Sequence, residues 1–152
     1  MALSWNEIKD RALHFSKEWA DTSNEEADAQ SFLVEFFAVF GISRKRVSTF
    51  EHQVKKLDES SGYIDLLWKG TILIEMKSRG KNLNKAYQQA VEYTYGLKQH
   101  ELPKYILICD FENFRLYDMD SPTSEGLREA FEFKSNDLAH FAANQAKNHA
   151  VQ

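Results

Sequence analysis

The residues of this chain with the most evident chemical capacity are Asp65, Glu75 and Lys77. Glu75 and Lys77 lie two apart in Thr71-Ile72-Leu73-Ile74-Glu75-Met76-Lys77, a run that otherwise reads as a buried strand. Side chains two apart on a strand share a face. An acid and a base at the end of a hydrophobic run are costly there unless they are paired or bound to something. Asp65 supplies a second carboxylate on the preceding apolar run, Tyr63-Ile64-Asp65-Leu66-Leu67-Trp68. Two carboxylates and a lysine on adjacent strands suit a hard divalent cation and a water molecule. The expected chemistry is metal-dependent hydrolysis of a phosphodiester. Hard oxygen ligands suit Mg²⁺, with Mn²⁺ as its substitute, because Mg²⁺ keeps several waters and binds through one or two carboxylates plus substrate phosphate. Lys77 beside them is placed to orient the attacking water and to stabilise charge developing on the phosphate.

The hairpin between the two runs sets a condition on this chemistry. A two-residue loop at Lys69-Gly70 pairs Trp68 with Thr71 and sets Asp65 against Ile74, which puts the two acids on opposite faces. A three-residue loop, Lys69-Gly70-Thr71, pairs Trp68 with Ile72 and Asp65 with Glu75. Such loops place one residue in the left-handed region, and Gly70 suits that position. A bulge would serve equally.

Other residues fall into place around this pair of strands. Gln89 and Tyr93 are one turn apart on the next helix and point the same way, so they can brace the site or hydrogen-bond a nucleic acid. Glu35 flanks the apolar face of the second helix and is a candidate to reach the metal through a water. Arg79, Lys81 and Lys85 concentrate positive charge just beyond the strand, where they are candidates to bind or support a nucleic acid around the scissile phosphate. The five histidines show no metal-ligand spacing, and no glycine-rich phosphate loop appears.

The elements that must carry these residues follow from periodicity and punctuation. Ser4 and Glu7 form a capping box, with Leu3 and Ile8 as its hydrophobic staple. Trp5, Ile8, Ala12, Phe15 and Trp19 then make one apolar stripe. Ser23 and Glu26 read as a second capping box before the face formed by Ala29, Phe32, Leu33, Phe36, Phe37 and Phe40, which Gly41 stops. A strand is expected from Arg46 to about Val54, a polar loop over Lys55 to Gly62, and then the hairpin. Asn82 or Asn84 caps a helix running to about Leu97. Lys104 to Asp110 is wholly apolar, as in a strand covered on both faces, and Phe114 to Tyr117 is a fifth strand. Past Pro122 the pattern weakens, with a helix over Asp137 to Gln152 that reads as the start of a connector. The expected architecture is α/β, with a mixed central sheet flanked by helices in the order α-α-β-β-β-α-β-β. The expected organisation is a domain over residues 1–120, followed over 121–152 by a peripheral segment and a helical connector.

Composition narrows the class. The 152 residues are 43% hydrophobic and 13% aromatic, with eleven phenylalanines, which specifies a packed core. The net charge of −4 argues against a self-sufficient DNA binder, whose affinity rests on phosphate contacts. No apolar run is long enough to span a bilayer. The N-terminus lacks the pattern of a signal peptide, and the single Cys109 in an apolar strand fits a reducing compartment. A cytoplasmic protein is expected, with no membrane partner.

Taken together, Asp65-x9-Glu75-x-Lys77 and Gln89-x-x-x-Tyr93 resemble the PD-(D/E)xK nuclease fold in its RecB-like branch. Leu3 to Ile8, Phe36 to Ile42, Arg46 to His52, Leu73 to Lys81 and Leu102 to Tyr105 are similar to the N-terminal endonuclease domain of MmeI-like, type IIL restriction-modification enzymes. The similarity covers about residues 1 to 118. It implies a restriction-endonuclease-like core in which Asp65, Glu75 and the Met76 carbonyl hold the metal and Lys77 is the catalytic lysine. Glu35 would match an early-helix acid found in some members. Ile64 stands where the family's name has proline. The resemblance further implies double-stranded DNA as substrate and a transient dimer on it. It also implies a covalently linked methyltransferase using S-adenosylmethionine and a target recognition domain, neither present in these residues. The chain is thus expected to be an isolated type II cleavage domain whose sequence specificity comes from the missing parts. Two alternatives stay open: a catalytically silent nuclease-fold module that positions DNA or binds protein, and a RecB-like exonuclease.

Overall fold

A computed structural model describes residues 3–46, 49–55, 61–120 and 130–150. Helix α1 (Trp5–Glu18) starts as its sequence dictates: the Ser4 hydroxyl oxygen accepts the Glu7 N–H at 3.2 Å. Helix α2 (Glu25–Val39) starts one residue later than the expected capping box. Asn24, not Ser23, is the cap, and its side-chain oxygen accepts the N–H groups of Glu26 and Ala27 at 3.0 and 3.4 Å. Asparagine caps as well as serine does, and the Ser23 carbonyl is engaged elsewhere, by the Arg79 N–H at 3.0 Å.

Six strands form one sheet in sequence order: β1 (Thr49–Lys55), β2 (Ser61–Trp68), β3 (Ile72–Met76), β4 (Tyr105–Cys109), β5 (Asn113–Asp118) and β6 (Ala130–Lys134). All neighbours are antiparallel except β3 and β4, which are parallel. Helix α3 (Leu83–Thr94) makes the crossover between those two, as a parallel connection requires. Its cap is Asn82, which accepts the N–H groups of Asn84 and Lys85. The polar loop expected before β2 lies largely outside the described residues, in 56–60; Ser61 and Gly62 already belong to β2.

The phenylalanines explain the layer on one face. Phe15, Phe32, Phe36 and Phe37 of the first two helices pack with Leu66, Ile74, Met76, Leu107, Cys109, Phe111 and Phe114 of the sheet side. Phe32 stands at the centre, its ring 5.0 Å from those of Phe15 and Phe111 and 5.4 Å from Trp19. The other face is aliphatic: Leu67, Leu73, Ile106 and Ile108 pack under Leu83, Ala86, Ala90 and Tyr93 of α3. Strand β4, buried on both faces, is the wholly apolar run expected.

Residues past 120 do more than the weak pattern promised. Strand β6 extends the sheet beyond β5, and helix α4 (Asp137–Ala150) packs on α1, with the Phe141 ring edge-on to Trp5 at 5.9 Å. β6 escaped the sequence reading because Ala-Phe-Glu-Phe-Lys is a short, charged edge strand with most side chains at least partly exposed.

Candidate active site

The β2–β3 turn has the three-residue form. Trp68 pairs with Ile72, Leu67 with Leu73 and Leu66 with Ile74, and Gly70 sits at φ +76°. Two supports hold this turn. The Gly70 N–H donates to the Glu101 carbonyl at 3.2 Å, and the Thr71 carbonyl accepts from the N–H groups of Lys104 and Tyr105, each at 3.0 Å. Glu101 is itself buried in the 3-10 turn Gln99–Glu101. The Lys98 N–H at 2.9 Å, and the Lys69 ammonium at 3.4 Å, hold its carboxyl below the ordinary range.

The ladder between β2 and β3 ends at Leu66 and Ile74, and just beyond it Asp65 and Glu75 meet through their side chains. There the side chains take over the backbone's bonds. The Asp65 N–H donates to Glu75 Oε1 at 3.3 Å, and the Met76 N–H donates to Asp65 Oδ2 at 2.8 Å. Glu75 is only 3% exposed. It leaves the strand on the same face as Leu73, while Ile74 and Met76 enter the phenylalanine core. Met76, buried in that core, borders the site and donates its N–H to Asp65 there.

Asp65, Glu75, Met76, Lys77, Gln89 and Tyr93 all line one cleft of about 640 Å³. Lys77 is fixed at both ends. Its N–H continues the parallel ladder to the Cys109 carbonyl at 2.8 Å, and its Nζ donates to Gln89 Oε1 at 2.9 Å. Gln89 Nε2 in turn donates to Tyr93 Oη at 2.6 Å. A lysine ammonium can only donate, so this chain fixes which end of the Gln89 amide faces which neighbour. Burial, with the Glu75 and Asp65 carboxylates nearby, pushes the Tyr93 phenol above its ordinary range. It stays protonated at neutral pH.

The other expected residues lie elsewhere. The Glu35 carboxylate accepts the Trp19 indole N–H at 2.6 Å in the seam between α1 and α2, and it borders a separate groove with Asp10, Arg11 and His14. Helical geometry accounts for this: Glu26, Gln30 and Leu33 face the cleft at positions i, i+4 and i+7, and Glu35 falls off that stripe. Arg79 is spent on protein contacts, to Ala20, Thr22 and Glu112. Lys81 and Lys85 are exposed on the loop and first turn of α3, outside the cleft.

Glu26, Gln30 and Tyr63 are among the cleft residues missed from sequence. Glu26 was absorbed into a capping argument, although its i+4 spacing to Gln30 marks a shared face. Tyr63, 58% exposed, is two residues before Asp65 on β2, and that spacing alone put it on the same face.

Among the described residues no three or more His, Cys, Asp or Glu side chains are grouped to hold a metal ion. The cleft offers instead a carboxylate pair and a main chain. Two carboxylates are enough for Mg²⁺, which completes its shell with water, so the donor set fits that ion and not a structural zinc.

A mixed sheet between helices, with an acid on each of two adjacent strands and a lysine just past the second, is the restriction-endonuclease-like form of α/β domain. The model of the family described as MmeI, N-terminal domain, matches residues 10–150, and the chain belongs to that family. It is a restriction-enzyme-related domain. Among solved structures the chain is similar to one described as the cryo-EM structure of a DrdV–DNA complex, with a TM-score of 0.54 and 15% identity. That likeness covers 89% of this chain and 13% of the other, so this chain spans a small part of the other's length. At that identity it speaks for the fold. No curated protein matches.

Proposed function

We propose that this chain is the cleavage domain of a restriction-modification enzyme, hydrolysing phosphodiesters of double-stranded DNA with Mg²⁺. The observation that carries the reading is the contact of Asp65 with Glu75 just past the end of the hairpin ladder, in the cleft that Lys77 also lines. Membership of the MmeI N-terminal family and the DNA present in the similar solved structure support it.

Asp65, Glu75 and the Met76 carbonyl would hold the ion. When bound, it supplies Lewis-acid polarisation of the phosphoryl group and a water of lowered pKa. The chain's own groups do the rest. Glu75, held by the Asp65 N–H, and Asp65, held by the Met76 N–H, present their carboxylates in a fixed geometry. Lys77, aimed by Gln89, places a positive charge beside them to orient the nucleophile and stabilise the charge that grows on the phosphate. Tyr93, kept protonated, braces Gln89. Lys81 and Lys85, exposed beyond Lys77, would supply positive charge to DNA phosphates without sequence selection. Specificity would then come from a linked target recognition domain. S-adenosylmethionine would serve only a linked methyltransferase, and cutting both strands would need a transient dimer on DNA in the cytoplasm. Among the described residues no helix is long and apolar enough to cross a membrane.

The test is cleavage of covalently closed plasmid with Mg²⁺ or Mn²⁺. Glu75→Ala and Lys77→Ala should each reduce it at least ~10³-fold with the fold intact. Undiminished cleavage by both variants would sink the reading. A circle left uncut while linear ends are degraded would make it an exonuclease. Mn²⁺ titration heat that is absent in the wild type would make it a silent module.

A further inference from the structure

Arg79, two residues beyond Lys77, makes four hydrogen bonds through its guanidinium. Its Nε and Nη2 donate to the Thr22 carbonyl at 3.2 and 2.8 Å, and Nη2 also donates to the Ala20 carbonyl at 3.1 Å. Its Nη1 pairs with Glu112 Oε2 at 2.8 Å, and its backbone N–H reaches the Ser23 carbonyl at 3.0 Å. The carbonyls of Ala20 and Thr22 lie just past the end of α1, where unsatisfied acceptors and the helix dipole favour a cation. Asn24 caps α2 immediately afterwards, and Glu26, Ala27 and Gln30 of that helix form a wall of the cleft. Glu112 belongs to the β4–β5 turn and is held in place itself, with its N–H on Asp110 Oδ1 and its carbonyl accepting the Ser135 N–H. In the same turn Phe111, at φ +75°, stacks on Trp19 and meets Phe32. A non-glycine residue is held at such a φ only where its surroundings determine it.

We infer that Arg79 is a positioning residue: it fixes the α2 wall of the cleft against the strand end that carries Lys77, and it does not contact DNA. The inference rests on the proposed hydrolytic site. Lysine cannot replace arginine here, because one ammonium on a flexible stem cannot span two carbonyls and a carboxylate held in a planar fork. A DNA phosphate contact, in contrast, would tolerate the exchange.

The experiment compares wild type, Arg79→Ala and Arg79→Lys in two ways. In plasmid cleavage with Mg²⁺, both variants should lose kcat about 10- to 100-fold with KM little changed, the usual effect of a slightly misplaced site. In amide hydrogen exchange without metal or DNA, both should lose protection over residues 22–30 while β3 and β4 stay protected. A raised KM in Arg79→Ala with wild-type behaviour in Arg79→Lys would make Arg79 a DNA contact and overturn the inference. So would unchanged exchange over residues 22–30. An unchanged kcat in the folded fraction of both variants would also overturn it, leaving Arg79 with a role in stability alone. If wild type itself shows no metal-dependent cleavage, the hydrolytic reading fails and exchange alone decides the role of Arg79. Should Arg79→Ala not fold, Glu112→Ala removes one partner only, with the same direction of change at roughly two- to fivefold.

Discussion

The two ends of the β2–β3 hairpin use the same ladder in opposite ways. At the turn, Gly70 and Thr71 are tied by backbone bonds to Glu101, Lys104 and Tyr105. At the open end, the Asp65 and Met76 N–H groups are satisfied by the carboxylates of Glu75 and Asp65. The turn end is held by partners that any side chains would permit, and it sets the register. The open end has given its backbone bonds to acids, so its geometry depends on that register. A strand has a period of two, so a slip of one residue at the turn would send Asp65 to the wrong face. Structure is decided at one end and chemistry is delivered at the other.

That division can be broken deliberately. An alanine inserted between Asp65 and Leu66 leaves the turn untouched but moves Asp65 one position along β2, away from Glu75. Plasmid cleavage should fall at least ~10³-fold in protein that still unfolds cooperatively; retained cleavage would mean that register is not what assembles the site. A milder change at the open end is Tyr93→Phe. Gln89 Nε2 loses its acceptor, Lys77 loses a fixed partner, and kcat should drop about tenfold, near 1.4 kcal/mol. Single-turnover rates with KM measured alongside would check this.

At the turn end, effects should appear in stability first. Gly70→Ala puts a Cβ into the left-handed region at a cost of about 1 kcal/mol. The nearest atom it would meet, the His100 carbonyl oxygen, is 3.5 Å away, so strain is the whole cost. Denaturant unfolding should show the loss, and kcat of the folded protein should not change. Smallest is Glu101→Gln, a fall in Tm of roughly 2 °C at neutral pH. Its sign with pH is fixed by the lowered carboxyl of Glu101. The folded state binds that proton less readily than the unfolded chain does. The contribution is therefore complete above the ordinary carboxylate range and disappears as pH falls through the folded value. The Tm gap between wild type and variant should close on acidification; a gap that widens in acid would refute the assignment.

Much of this molecule was legible in its residues. The Ser4 cap, the phenylalanine face of α2, the apolar β4 and the α3 stripe all follow from local rules, because each element buries a face whose period is written in the sequence. Asp65, Glu75, Lys77, Gln89 and Tyr93 were likewise singled out by spacing and by family resemblance, and the fold gathers them in one cleft. Glu35 and Arg79 were not so legible. Each is a charged residue near an apolar face, and spacing does not say which neighbour a long side chain will meet. Glu35 met Trp19, and Arg79 met the carbonyls that follow α1. Strand β6 hid for a different reason, since an exposed edge strand leaves little hydrophobic signal.

By itself, then, the sequence determined the elements, their buried faces and the chemical types brought to the end of β3, because propensity, capping and periodicity act within a few residues. It left two hairpin registers open. Only the tertiary structure chose between them, through Glu101, Lys104 and Tyr105, which lie some thirty residues along the chain from the turn they hold. Contacts of that separation are set by the packing of the whole sheet, and on them depends whether Asp65 faces Glu75.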